Sequence, residues 1–551
     1  MKRFLGSTGV PVAGRWAARP ATKAVAAALV VVAVLAILVP ELDRPGVTWD
    51  EPEYFASVER IQAWAAEVIR DPRLALDAEA IQAAWDPPDR RYYNPHPPVY
   101  KEGMAVTEWA FGEALGPVAG YRLFSASLFA LLAGLLVWTV GGVAGLPAGI
   151  GAALSLVLMP RLVGHAHFAT SDIPLTFYWT LAVLSFAGFL RRGGGARLSL
   201  AAIALGLALG TKFTGWLLPV PLLVWAVLER RWIPWIVSLS LGFLVAWLFA
   251  PPAWHDPRGA LFGLFEASLT RDETIPIATV YFGRVYDYMV PWHQAIVMML
   301  ITVPVGILSL AVIGTADLGR SRALLRPSDS RAALARLSLL QIGFFLALMA
   351  LPTSPNHDGV RLFLPAFPFV AILAGLALGR LDDALRDRFE GRLAILGLLL
   401  LMSAYLLPAF RQERKIAPYW LSYYNELIGG IRGAATRGME VTYWYDAVTP
   451  EFISEVERVL PAEATVMAWP TVKYFEELQA LGLLREDLRF VSETSASYLL
   501  MMARQATLPP PLMDVYRTVQ PVLAVDVEGV EMVGLYEMRA PGSDVEPLGG
   551  D

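Results

Sequence analysis

The sequence contains no cysteine, and only 17% of its 551 residues are charged, whereas 56% are hydrophobic. Without cysteine the chain can form no disulfide, no thiolate zinc site and no cysteine nucleophile. Soluble proteins carry about 25% charged residues, so the deficit predicts several membrane spans rather than one anchor. The net charge of −5 is small, and it gives no reason to expect nucleic acid as a partner.

Long apolar runs are abundant and predict a mainly α-helical membrane bundle. The first run, Ala24–Val39, follows several basic residues and continues into Pro40 and Glu41 without a small-residue cleavage site. We therefore expect an uncleaved first span, with residues 1–23 in the cytoplasm. Ten further apolar segments bring the expected number of spans to about eleven: 120–143, 147–163, 173–190, 198–211, 214–229, 232–250, 293–316, 337–352, 360–379 and 392–409.

The short loops differ in charge, and this predicts the orientation of the chain. Basic residues concentrate in the loops at 191–197, 230–231, 320–336 and 380–392. Because basic loops stay in the cytoplasm, we expect a multi-pass protein of the inner (plasma) membrane with a periplasmic or otherwise extracytoplasmic C-terminus. The outside segments are then 41–119, 164–172, 251–292, 353–359 and 410–551.

The C-terminal part alternates short helical and strand-like patterns, which predicts a small extracytoplasmic α/β domain at 411–540 after a membrane domain at 24–410. Residues 541–551 are expected to be a disordered tail. The segments with these patterns are 449–460 and 472–484 for helices, and 464–469, 488–491, 498–502, 522–527 and 530–538 for strands.

Asp50 and Glu51 lie about ten residues beyond the first span, among aromatic residues. One interpretation is structural: Thr48 or Asp50 caps a helix that has Pro52 in its first turn. A capping carboxylate can also act as a general base, so a functional interpretation stays open.

Other ionisable residues fall at the outer ends of spans, where burial is costly and usually functional. His96 and Lys101 stand in a proline-rich loop, which could equally be a surface linker. Lys212 lies at an outer turn and could bind a lipid phosphate or snorkel to the interface. His357 and Arg361 precede the tenth span, and the planar donors of Arg361 match phosphate oxygens.

The turn at 161–172 holds Arg161, His165, His167 and Asp172 between two spans. Snorkelling and helix capping by Asp172 form the structural alternative. The His-x-His pair could contribute to a metal site, but two ligands do not make one. A divalent metal is therefore possible and no cofactor is certain. Together, the outer loops predict a site for an anionic substrate near the membrane.

In several of these motifs the chain resembles glycosyltransferase family 39 of the GT-C superfamily, which includes protein O-mannosyltransferases and bacterial aminoarabinose transferases. The resemblance covers roughly residues 20–435. It is carried by Trp49-Asp50-Glu51, His96-Pro97-Pro98-Val99-Tyr100-Lys101, His167 to Leu175, Thr211-Lys212-x-x-Gly215, His357-Asp358-Gly359-x-Arg361-x-x-x-Pro365 and Tyr423-Tyr424-Asn425-Glu426-Leu427-x-Gly429-Gly430.

The resemblance implies transfer of a sugar from a polyprenyl phosphate to an acceptor hydroxyl outside the cytoplasm, with inversion. Asp50 would be the base and Glu51 its supporting neighbour. The implied phosphate ligands are Lys212, Arg361, Arg161 and Lys101, and the residues implied to position sugar or acceptor are His96, His167, Asp172 and His357. The acceptor stays open among protein, lipid and glycan, and no Asp-x-Asp pair marks a metal-dependent mechanism.

Two other classes of protein remain open from the residues alone. A lipid or solute transporter, or a flippase, would also have many spans and buried charges, but the sequence shows none of the internal symmetry that transporters often have. A non-catalytic assembly or sensor protein would use the same charges structurally. Sugar transfer without net lipid movement distinguishes the glycosyltransferase from both.

Overall fold

The computed structural model describes residues 19–85, 96–269, 277–287, 289–316, 318, 329–492 and 496–538. Most of the predicted cytoplasmic N-terminus, the first residues of the proline-rich loop, three arginines of the 320–336 loop and the predicted tail lie outside these residues. The first half of the chain forms helices α1 Pro20–Leu38, α2 Glu51–Arg70, α3 Ala78–Trp85, α4 Val99–Leu115, α5 Ala119–Ala144, α6 Leu146–Val157, α7 Pro160–Ala166, α8 Asp172–Arg192, α9 Gly195–Leu209, α10 Pro219–Leu228, α11 Ile233–Leu248, α12 Pro252–His255 and α13 Pro257–Leu269.

A short antiparallel hairpin, β1 Thr279–Tyr281 and β2 Arg284–Tyr286, leads into the second half of the helical region. That region comprises α14 Gln294–Thr302, α15 Val305–Gly314, α16 Ser330–Met349, α17 Phe367–Arg388, α18 Gly391–Ile416 and α19 Gly430–Thr436. Short 3-10 helices cover Val39–Glu41, Pro72–Leu76, Phe213–Leu217, Arg361–Ala366 and Trp420–Ser422.

Glycine and proline set many of these helix boundaries. Gly116, Gly145 and Gly193 follow α4, α5 and α8 with φ of 104°, 97° and 69°, a backbone conformation that only glycine adopts easily. Pro160 and Pro219 begin α7 and α10, where a missing backbone N–H costs no hydrogen bond. The chain therefore reverses direction sharply between apolar helices.

The predicted apolar segments all coincide with helices. Among the described residues, six helices are long and apolar enough to span a membrane, or up to eight if α6 with α7 and α14 with α15 each form one bent span. The remaining segments correspond to the shorter apolar helices at 195–209, 213–228 and 233–248. The mainly helical, multi-pass architecture is confirmed, and six to eight of the eleven expected spans are long enough to cross a membrane.

Helix α17, together with the 3-10 helix Arg361–Ala366 before it, is the most deeply buried candidate span, with 94% of its most apolar stretch inside the protein. Close approach to α6 depends on small residues: a Cβ added at Gly375 would lie 2.5 Å from the Ala148 carbonyl oxygen. At Gly379 an added Cβ would lie 2.9 Å from the Ala148 Cβ. Small residues at such crossings let backbones approach within a membrane.

The C-terminal region forms the predicted small α/β unit. Among the described residues, one sheet has the strand order β4-β3-β5-β7-β6, with β3 parallel to β4 and β5, and β7 antiparallel to β5 and β6. Its elements are α20 Pro450–Val459, β3 Thr465–Trp469, α21 Lys473–Ala480, β4 Arg489–Val491, β5 Tyr498–Met502, α22 Pro510–Thr518, β6 Leu523–Val527 and β7 Val530–Glu537. Helix α22 is the element that the pattern did not predict.

The segment at 439–448, just before α20, binds the loop that precedes α2. The Gly46 N–H donates to the Asp446 carbonyl at 2.9 Å, and the Trp49 N–H donates to the Trp444 carbonyl at 3.2 Å. These backbone bonds fix the start of α2, where Asp50 is the N-cap residue. The C-terminal region thus touches the residues expected to carry the chemistry.

Candidate active site

Arg361 is the centre of a buried ionic cluster. Its Nη2 donates to Asp50 Oδ2 at 2.5 Å, its Nε to Asp172 Oδ2 at 2.9 Å and its Nη1 to Asp358 Oδ2 at 3.4 Å. The guanidinium carbon lies 4.1 Å from the centre of the Trp444 ring. Charge-assisted bonds from a planar fork hold these carboxylates in defined positions.

Asp172 joins Arg361 to Lys212. The Lys212 Nζ donates to Asp172 Oδ1 at 2.5 Å, and the His165 Nδ1 lies 4.0 Å from Asp172 Oδ2. Asp172 begins α8, and Lys212 directly precedes the 3-10 helix Phe213–Leu217. The ends of several helices therefore bring residues that are far apart in sequence to one place.

Exposure differs sharply within this cluster. The Asp50 side chain is 21% exposed, whereas those of Arg361, Lys212 and Asp172 are 5%, 5% and 1% exposed. Asp50 is consequently the member of the cluster that a molecule outside the bundle can reach. The rim beside it includes Glu53 and the Lys473 ammonium, which lie 3.7 Å apart.

Glu51 points the other way and is fully buried against Arg122 of α5. Arg122 donates to both Glu51 carboxylate oxygens, from Nε at 2.8 Å and from Nη2 at 2.7 Å. The same carboxylate accepts from the backbone N–H groups of Thr48 and Ala169, each at 2.8 Å. Glu51 therefore fixes the Asp50 loop against the turn before α8, and its contacts are those of a positioning residue.

A second chain of charges enters from the C-terminal region. Arg504 lies 3.2 Å from Asp358 and 3.3 Å from Glu440. Burial raises the pKa of Glu440 to about 7, although the positive charge of Arg504 opposes the shift. Asp358 thus lies between Arg361 and Arg504, so the C-terminal region helps to hold the central arginine.

Lys101, His96 and His357 lie around the cluster rather than within it. The Lys101 Nζ donates to the His96 carbonyl at 3.3 Å, and burial together with the charge of Arg60 lowers the Lys101 pKa to about 7. The His96 ring packs 4.8 Å from Phe213, next to Lys212 in the chain. The His357 Nε2 lies 3.9 Å from Asp358 Oδ2.

His167 and Arg161 form their hydrogen bonds with groups outside the cluster. The His167 ring stacks on Trp420 at 4.2 Å, and its Nδ1 lies 2.8 Å from the Val163 carbonyl oxygen. The structure thus brings His165, rather than His167, close to Asp172. The Arg161 Nε donates to the Tyr423 carbonyl at 3.0 Å, and the whole side chain is buried.

A metal site was left possible by the sequence. Within the described ranges, no group of three or more His, Asp or Glu side chains is placed to hold a metal ion. The cluster around Arg361 instead alternates carboxylates with cations. Its chemistry is that of acid–base and anion-binding groups.

Part of the chain matches a known protein family. The family model described as dolichyl-phosphate-mannose-protein mannosyltransferase matches residues 91–252. A comparison with curated protein sequences gave no match. The matched segment holds Lys101, Arg161, Asp172 and Lys212, and it supports the predicted resemblance over this part of the chain.

Several solved structures have a similar chain course. ArnT from Cupriavidus metallidurans in the apo state is 16% identical, with a TM-score of 0.52 over 94% of this chain and 98% of that chain. The same protein bound to undecaprenyl phosphate gives 14% identity and a TM-score of 0.49 over 92% and 97%. The Archaeoglobus fulgidus oligosaccharyltransferase in complex with Zn and sulfate gives 15% and 0.46 over 87% and 68%.

The fold is therefore similar to that of ArnT from Cupriavidus metallidurans. The family match and the shared fold together support a membrane glycosyltransferase. At this level of sequence identity the likeness shows the architecture, and roles for individual side chains must come from the geometry described above.

Proposed function

We propose that the protein transfers a sugar from a polyprenyl phosphate to an acceptor hydroxyl on the outer side of the membrane, with inversion. The observation that carries the proposal is the cluster of Asp50, Arg361, Asp172 and Lys212, in which Asp50 alone is partly exposed. It combines one reachable carboxylate with buried cations. Acid–base transfer from a phosphate leaving group needs both.

Asp50 acts as the general base. Its carboxylate lies at the opening of the cluster, so an acceptor hydroxyl arriving from outside the bundle can meet it first. Removal of the hydroxyl proton by Asp50 accompanies attack of the acceptor oxygen on the anomeric carbon, and the bond to the phosphate oxygen breaks. One displacement of this kind inverts the anomeric centre.

Arg361 and Lys212 bind the donor phosphate. Both cations are already paired with Asp50 or Asp172, so an arriving phosphate must compete for their N–H groups. The Asp50 bond to Arg361 Nη2 is the one at the opening. A phosphate that takes over this donor releases Asp50 from its counter-charge and makes it a stronger base, which couples donor binding to activation of the acceptor.

Other predicted residues support the two phosphate ligands. Lys101 has a pKa near 7 and would carry only part of a charge at neutral pH, which makes it a weaker phosphate ligand than Lys212. Asp172 orients both principal cations, and His96 and His357 flank them. In this proposal residues 24–410 form the catalytic membrane domain, and residues 411–540 lie outside and close the site.

The direct test is incubation of the purified protein with radiolabelled polyprenyl-phosphate sugars and a membrane extract. We expect a labelled glycosylated product that depends on the protein. Movement of the labelled lipid between leaflets without any product would instead favour the transporter or flippase alternative. If neither a labelled product nor lipid movement is observed, the glycosyltransferase and the transporter functions are both contradicted.

The phosphate ligands give a second expected result. Replacing Lys212 or Arg361 with Ala should raise the KM for the lipid-linked donor by about 10- to 100-fold, since each change removes a charged hydrogen-bond donor. The KM for the acceptor should change by less than about threefold. Steady-state kinetics with each substrate varied in turn will measure both.

Arg331→Ala serves as the matched control, because Arg331 pairs with Asp383 at 2.5 Å in a part of the bundle expected to face the cytoplasm. It should leave both KM values unchanged. An equal loss for donor and acceptor in the Lys212 and Arg361 variants would argue against phosphate contacts.

A further inference from the structure

Beside the ionic cluster lie four buried side chains with polar atoms that make no hydrogen bond of ordinary geometry to the described residues. The atoms are Nη1 and Nη2 of Arg161, both ring nitrogens of His165, Oη of Tyr443 and both carboxylate oxygens of Asp446. None of these residues is more than 2% exposed. Such groups are uncommon, because nearly all buried polar atoms in folded proteins are hydrogen-bonded.

The four side chains lie close together. Arg161 and Tyr443 both approach Gly359. A Cβ added at Gly359 would lie 2.5 Å from Arg161 Nη1 and 2.9 Å from Tyr443 Oη. The charges of Arg161 and Asp446 both act on the Tyr443 hydroxyl, and the charge of Arg161 also acts on the His165 ring. The group therefore forms one polar surface between α7 and the segment 439–448.

This surface joins the membrane domain to the C-terminal region. Arg161 and His165 belong to α7, whereas Tyr443 and Asp446 flank Trp444, whose ring covers Arg361. The His165 ring also lies 5.5 Å from the Trp444 ring. Whatever binds the unpartnered atoms would consequently lie next to Arg361 and within reach of a group bound to it.

We propose that this surface is the subsite for the sugar of the lipid-linked donor, with Tyr443 and Asp446 as its ligands from the C-terminal region. The inference rests on the proposed glycosyltransferase function. The mixed set of groups decides the chemistry of the occupant: a phosphate would be attracted by Arg161 and repelled by Asp446. A sugar hydroxyl both accepts and donates, so it can pair with the guanidinium and the carboxyl at once.

The protonation of Asp446 agrees with an uncharged ligand. Burial raises the pKa of this carboxyl to about 7, while its own backbone N–H and the charge of Arg161 oppose the shift. Near neutral pH the group can therefore accept a hydrogen bond from a sugar hydroxyl or donate one to it. Such a site discriminates between sugars, because a missing hydroxyl leaves a buried partner unpaired.

The test compares the donor with its sugar-free product. Tyr443→Phe and Asp446→Asn, made in the full-length protein, should each raise the KM for the polyprenyl-phosphate sugar by about 10-fold. Inhibition by polyprenyl phosphate itself should stay unchanged, since that lipid lacks the sugar. The melting temperature without ligand should stay equal or rise, because each change removes an unpaired buried atom or charge.

Tyr281→Phe is the matched control, since the Tyr281 hydroxyl is also buried and unpartnered but belongs to the β1–β2 hairpin. It should not alter the donor KM. An unchanged donor KM in both test variants, equal weakening of donor and polyprenyl phosphate, or a lower melting temperature would each overturn the sugar subsite. A wild-type protein that transfers no sugar would instead overturn the proposed function.

Discussion

Replacing Asp50 with Asn will lower the turnover of sugar transfer by about 10³-fold, which is the usual contribution of a positioned general base. The amide keeps the shape of the carboxylate but cannot take the acceptor proton. Donor binding should persist or tighten, because Arg361 loses the anion that competes with the phosphate for its Nη2. Single-turnover transfer with saturating donor, together with a binding measurement, separates the two effects.

Glu53→Gln supplies the matched control for this change. Glu53 lies one helical turn after Asp50 on the same rim, and its side chain is 24% exposed against 21% for Asp50. This change should alter turnover by less than about 10-fold, since it removes no group that contacts the reacting atoms. Turnover of the Asp50→Asn variant within 10-fold of the wild type would refute the assignment of the base.

The two rim carboxylates also interact, and this predicts a change in the pH profile. Burial, followed by the negative charge of Asp50, raises the pKa of Glu53 to about 7. In the Asp50→Asn variant that repulsion is gone, so the Glu53 pKa should fall. Any step in activity near pH 7 that arises from Glu53 should therefore move to lower pH, as residual transfer measured between pH 5 and 9 will show.

Much of the proposed site was visible in the sequence because its charges interrupt apolar runs. Asp50, Asp172, Lys212 and Arg361 each stand at the expected outer end of a span, where a charge is costly unless it is used. The structure brings all four together although up to 311 residues separate the members of one ion pair. Pattern alone could nominate them but could not say which carboxylate faces which cation.

Other participants were missed for identifiable reasons. Arg122 stands near the start of an apolar span and gave the same signal as Lys212, so it could have been nominated. Arg504, Tyr443 and Asp446 belong to a region without a recognised motif. Their relevance arises only from long-range contacts with Asp358 and α7, which no local pattern contains.

The fold shows the same division between local and long-range information. Hydropathy located every apolar helix, because a span needs about 20 apolar residues wherever it lies. It did not locate the bends of 75° between α6 and α7 and of 111° between α14 and α15, although Pro160 and Pro304 stand at these breaks and proline interrupts a helix. Helix α22 was missed although Leu512, Val515 and Tyr516 recur at helical spacing, so the pattern that would have predicted it was present in the sequence.

Replacing Arg122 with Met should destabilise the protein by about 3–5 kcal/mol, the usual cost of leaving one partner of a buried ion pair alone. Both side chains are at most 1% exposed, so water cannot replace the lost partner of Glu51. Thermal unfolding in detergent should show a clearly lower melting temperature. Arg386→Met, which breaks a pair whose arginine is 30% exposed, should cost less than about 1 kcal/mol.

A double variant distinguishes the ion pair from the other bonds of Arg122. Besides Glu51, Arg122 donates to the carbonyls of Leu42, Pro45 and Gly46 at 2.7 to 3.1 Å. Adding Glu51→Gln to Arg122→Met removes the unpaired charge, so it should recover part of the lost stability but leave those carbonyls unsatisfied. Full recovery would show that the carbonyl bonds contribute nothing, and no recovery would show that the Glu51 charge is not what makes the single variant unstable. Partial recovery, with sugar transfer restored in proportion, is the result expected if Glu51 and Arg122 act by holding the Asp50 loop in place.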